Sequence, residues 1–317
     1  APGAGSTSST DPPPTVAVTA AALCSDAIAE GDEARVASAG LSETSGVVAS
    51  RRHPGVLWAH NDSGSPAEVH AVGEDGSDRG RVAIDGAPAV DWEDIALGAG
   101  PDAGVDHLYV GDIGDNRGER QGERGIRLIR VPEPDPPRGG GGGPGVDGGG
   151  DGTDGSAAVR GVVFDLAYED GPRDAETLLV DPHSGDVFVV SKQWDGSAAG
   201  VYRLPAAVVL AAEPPVGAHT MNRVADVAGT AGVWVTGGDI SPDGHLIALR
   251  TYTEVRLWDR EPGRDVAETL ASPPTCRRRV IERQGEAIGF AADGRGFVTI
   301  SEGEHPPVLW HRLPENL

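Results

Sequence analysis

The sequence predicts an all-β chain: a β-propeller of five four-stranded blades, with six blades as the alternative. Three observations predict it. Gly (47) and Pro (25) are abundant and aromatic residues make up only 4%, which suits short strands joined by turns better than long helices. One pattern of acid, apolar strand, turn, apolar strand and polar loop returns five times. Fixed-period self-similarity of this kind marks repeat architectures. Finally, an Arg-Val strand that ends several repeats also stands alone before the first.

The units run from Ser42 (SETSGVVASRRHPGVLWAHNDSG), Trp92 (WEDIALGAGPDAGVDHLYVGDIGDN), Ala175 (AETLLVDPHSGDVFVVSKQWDG), Val235 (VTGGDISPDGHLIALRTYTE) and Gly285 (GEAIGFAADGRGFVTISEGEH). Turns such as PHSG, SPDG and AADG join the first two strands, with Asp, Pro and Gly setting hairpin dihedrals. A third strand follows in each unit, for example AGVYRLP and EVRLWDRE. A fourth carries Arg81-Val82, Arg223-Val224 or Arg279-Val280, and in the second unit it is VRGVVFDLAY. The fifth unit lacks one. ARVASAGLSE (Arg35-Val36) is expected to supply it from the N-terminus, closing the ring by strand exchange and removing free edges. LPAAVVLAAEPP reads as a short helix in the third unit.

Residues 1–33 are expected to form a flexible leader and 34–317 the propeller. The leader opens with low-complexity APGAGSTSSTDPPPT, the kind of segment left after a secretory signal is removed. Cys24 precedes the closing strand and Cys276 precedes the fourth strand of the fourth unit, so a disulfide would pin the arm to the ring. Two unrelated thiols are the other reading. The Gly-rich insertion at about 138–156 lacks the strand and helix of a phosphate loop and is expected to be a disordered surface loop. The net charge of −23 opposes nucleic acid and anionic membrane. No apolar run is long enough to span a bilayer. The expectation is a secreted monomer.

In a propeller, the starts of the inner strands and the loops after the second strands share one face. Glu43, Glu93, Glu176 and Glu286 start inner strands, with Thr236 at the equivalent place in the fourth unit and Asp239 just beyond. The loops add Asn61, Asp62, Asp112, Asp115, Asn116 and Glu302. Crowded carboxylates and amides make an oxygen-rich cup, the donor set Ca²⁺ prefers. No Cys/His cluster suggests zinc. Two readings of these residues stay open: the glutamates lock blades and the Asx residues cap turns, or both sets hold calcium. No GxSxG or HExxH motif occurs. His60 and His305 fall in loops of the acidic face and are the candidate general bases. Trp92 is expected between blades, and Trp58, Trp258 and Trp310 in the core.

SGVVASRRHPGVLWAHNDSG, DWEDIALG, HLYVGDIGDN, RDAETLLVDPHSGDVFVVSK, VTGGDISPDG and QGEAIGF together resemble secreted actinobacterial β-propeller proteins of the esterase-like, phytase-like group. The resemblance covers about Leu41 to Leu313. It implies an extracellular propeller holding calcium on one face, where phosphate monoesters are hydrolysed. Two functions follow. One is a calcium-dependent phosphoester or ester hydrolase. The other is a non-catalytic binding propeller whose acidic face takes a small molecule, glycan, peptide or protein.

Overall fold

Gly- and Pro-marked turns cut the chain into strands of two to eight residues. The computed structural model describes residues 17–30, 34–120, 125–137, 157–213 and 216–314. Among them the protein is all-β, with three helical turns at Ala20–Leu23, Ala206–Val209 and Val266–Leu270. The second of these falls in the segment expected to be helical. The Gly-rich insertion at 138–156 and residues 1–16 lie outside the described residues.

The strands form antiparallel meanders, one per repeat. Unit I is Thr44–Ala49, Val56–Asn61, Glu68–Gly73 and Asp78–Asp85. Unit II is Trp92–Ala99, Asp106–Asp112, Ile126–Pro132 and Val162–Tyr168. Unit III is Ala175–Val180, Val187–Ser191, Gly200–Leu204 and His219–Asp226. Unit IV is Val235–Ile240, Leu246–Thr251, Glu254–Asp259 and Cys276–Arg279. Unit V is Gly285–Phe290, Gly296–Ser301 and Pro307–Arg312. The first strands of the units touch in cyclic order, I to II to III to IV to V and back to I, giving a propeller-like arrangement. First strands of units I, III and V are buried along their whole length, whereas Asp78–Asp85 has two buried residues and His219–Asp226 one. Burial therefore falls from the axis outward, and apolar clusters fill the spaces between units.

The N-terminal segment pairs with the last strand: Ala34 and Arg35 lie opposite Val308 and Pro307, and Ala29 and Glu30 opposite Arg312 and His311. The segment VRGVVFDLAY divides. Ala157–Arg160 runs parallel to the outer strand of unit I, and Val162–Tyr168 is the outer strand of unit II. The latter also runs parallel to His219–Asp226, so units II and III share one eight-stranded sheet.

The described part of the leader is packed, not free. Ala20 and Leu23 are fully buried, and the Ala20 amide donates to Asp259 (2.8 Å). The Cys24–Cys276 disulfide ties this arm to unit IV across 252 residues of sequence. Trp92 packs edge-on to His60 (5.7 Å) in the cluster between units I and II, while Trp58, Trp258 and Trp310 are buried.

Cross-linking residues so distant restricts the unfolded chain, so reduction, or Cys276→Ser, should lower stability by roughly 2–5 kcal/mol. Matched denaturant titrations check this. Unchanged midpoints would show that the arm is held by packing alone.

Candidate functional site

Each first strand breaks its ladder at the same place. Pairing skips one residue between Thr44 and Gly46, Trp92 and Asp94, Ala175 and Thr177, Val235 and Gly237, and Gly285 and Ala287. Such a bulge re-aims the residue it leaves unpaired. The five skipped residues are Ser45, Glu93, Glu176, Thr236 and Glu286. Glu43, expected as the first of the set, lies one residue before its strand and is exposed; Ser45 holds the equivalent place. The two hydroxyls lock neighbouring strands: Ser45 donates to the Glu93 carbonyl (2.6 Å) and Thr236 to the Gly285 carbonyl (3.0 Å).

The three glutamates are 3–5% exposed and gather further acids. Single oxygens of Asp62, Asp91 and Glu93 lie within 4.8 Å of one another. Burial raises Glu93 well above the usual range, with Glu176, Asp62, Asp91 and Asp174 adding to it. Burial likewise pushes Asp91 up to about 6, Glu176 to about 7 and Glu286 to about 9. Asp62 is raised by burial and by Glu302 and Glu43, which share this face. Lys192, the only lysine, is buried and bonded to Glu176 Oε1, and reaches the Tyr252 hydroxyl (3.2 Å). Burial opposes its charge, but Glu176 more than offsets that and holds the ammonium charged. Glu176 Oε2 is buried with no hydrogen-bond partner.

The cluster packs directly against Gly114, where no side chain would fit. A Cβ there would stand 2.1 Å from Glu93 Oε1 and 2.5 Å from Asp91 Oδ2.

Several expected ligands are occupied structurally. Asn61 accepts from the Ser42 and Glu43 amides (3.1 and 3.0 Å) and donates to Gly40. Asp112 is fully buried, meets Arg120 at 2.9 Å and accepts from the Asp91 amide. Asp115 caps the amides of Glu119 and Arg120, and Asn116 is exposed. Asp239 lies farther along its strand, where it accepts from Ile240 and from Phe290 of unit V. Asp94 does the same for Ile95 and for Leu178 of unit III. Neither histidine stands free in the cup. His60 is fully buried, Nδ1 against the Asn61 carbonyl (2.9 Å), and burial lowers it to about 4. His305 has φ 49° and binds the Val36 carbonyl (2.8 Å), beside the N-terminal strand.

Asp91, Asp174, Tyr252 and two exposed tryptophans, Trp194 and Trp234, were not among the expected site residues. The first two carry a readable signal: Asp91-Trp92-Glu93 and Asp174-Ala175-Glu176 repeat an Asp-x-Glu start.

A raised carboxyl binds its proton more tightly folded than unfolded, so the native state holds more protons until pH passes the folded value. Buried His60 works in the opposite sense below its ordinary 6.5. Metal-free protein should therefore lose stability from pH 6.5 to about 9, where Glu286 titrates. Melting temperatures in EDTA across that range check this, and a flat or rising curve contradicts it.

No family model and no curated protein matches the chain. A chain of the "Crystal Structure of Mitotic Checkpoint Complex" aligns at 13% identity and a TM-score of 0.37, over 82% of this chain and 62% of that one. This chain thus spans less than two thirds of that one, and a likeness so slight bears on neither fold detail nor function.

Proposed function

We propose that the protein is a five-bladed propeller, closed by the N-terminal strand, that binds a divalent cation on its acidic face in an oxidising, extracellular setting. Asp62, Asp91 and Glu93 are the ligands, and calcium is the ion favoured by an all-oxygen donor set. The observation that carries this is their convergence within 4.8 Å. Like charges so close keep protons unless a cation replaces them. The missing side chain at Gly114 lets the Glu93 and Asp91 carboxyls draw together, and Glu176 Oε2 has no donor of its own. The disulfide suits an oxidising compartment, and no described helix is long and apolar enough to cross a membrane.

A hydrolytic role is the second reading, favoured by Glu176. Its free Oε2 and near-neutral carboxyl could take a proton from water, while a bound ion supplies Lewis-acid chemistry. Ester and phosphoester panels test it: turnover lost in Glu176→Gln supports it, and no turnover leaves binding as the role.

Calcium added to EDTA-stripped protein at about a hundred times its Kd should stabilise the fold by about 2.7 kcal/mol, read as a rise in melting temperature. Asp91→Asn with Glu93→Gln should abolish the rise. An unchanged melting curve for the unsubstituted protein, with no metal found by elemental analysis, would overturn the reading.

A further inference from the structure

Of the six tryptophans, four are buried and two are not: Trp194 is 53% exposed and Trp234 40%. The exposed pair come from different units yet lie in contact, with centroids 4.6 Å apart. Tyr252 stands edge-on to Trp234 at 6.2 Å. Trp194 is fixed outward, its indole N–H donating to Asp174 Oδ2 (2.8 Å). Asp174 is also one of the carboxylates acting on Asp91, Glu93 and Glu176. The aromatic wall is thus the rim of the acidic cup.

The inner side of this wall already holds a cation. Lys192 Nζ lies 5.2 Å from the Trp194 centroid, 5.4 Å from Tyr252 and 5.8 Å from Trp234. Its charge is committed to Glu176, and it is the only lysine. Asp62 and Glu286 also act on it, and Glu302 and Glu43 act on Asp62, so acids on this face outnumber its one lysine. Open indole surface beside surplus carboxylate complements a flat or compact organic cation, which ring quadrupoles attract.

We propose that Trp194, Trp234 and Tyr252 form a recognition subsite for an organic cation, a guanidinium or ammonium group stacked on the indoles with its charge toward the carboxylates. The role rests on the cation-cup reading for its setting, but not on the ion itself. The group could come from a polyamine or from a basic peptide side chain.

Isothermal titration of the full chain, with calcium and in EDTA, tests this with tri-arginine amide, spermidine and the uncharged tri-citrulline amide. Tri-arginine or spermidine should bind, and the tighter of the two identifies the source. Tri-citrulline should not bind. Trp194→Ala and Trp234→Ala should each weaken binding about threefold to thirtyfold, while leaving the calcium titration unchanged. No binding of either cation, equal binding of the citrulline peptide, or affinity unmoved in both variants would overturn the proposal. Cation binding by unsubstituted protein that takes up no calcium would overturn the metal reading alone.

Discussion

The first strands of neighbouring units run so close together that their facing positions admit almost no side chain. A Cβ on Gly46 would stand 2.8 Å from the Ile95 nitrogen, on Gly237 2.4 Å from the Glu286 carbonyl oxygen, and on Gly289 2.6 Å from the Val47 carbonyl oxygen. Side chains at these places would wedge the units apart. With the strands this near, the skipped residue at each strand start is set beside the next strand. Ser45 and Thr236 use that position to bond the neighbour. Glu93, Glu176 and Glu286 fill it with carboxyl groups that have little water to solvate them.

Two kinds of buried acid result, and hydrogen-bond donors tell them apart. Asp94 and Asp239 each accept amides from their own strand and from the adjoining unit. They are fasteners, and their partners account for their burial. The Asp62–Asp91–Glu93 group and Glu176 Oε2 have far fewer donors for the charge they would carry. Such groups keep their protons or take a cation, so with neither the cluster is a cost to the fold.

Much of the fold was legible in the sequence because turns and strand alternation are local. The repeated strand-turn-strand pattern, the strand before the first repeat and the short helix near Ala206 could be read directly, whereas the Cys24–Cys276 bond was one of two readings that the structure decides. The site was legible only in outline. A bulge changes register without changing composition, so Glu43 looked equivalent to Glu93 while Ser45 holds the place. Asp112, Asp115 and Asn61 resembled ligands because turn caps and ion ligands use the same oxygens; only their partners separate the roles. The aromatic rim joins Trp194, Trp234 and Tyr252 from separate loops, a meeting that no local pattern encodes.

Either a shared proton or a cation must relieve the crowding of Asp62, Asp91 and Glu93. Crystals grown near neutral pH and soaked in Mn²⁺, an oxygen-seeking ion with a usable anomalous signal, decide between the two most directly. A cation site gives an anomalous peak bounded by Asp62, Asp91 and Glu93, beside Gly114. A map with no peak there, and with the Asp91 and Glu93 carboxyls bonded to each other through a shared proton, would contradict it.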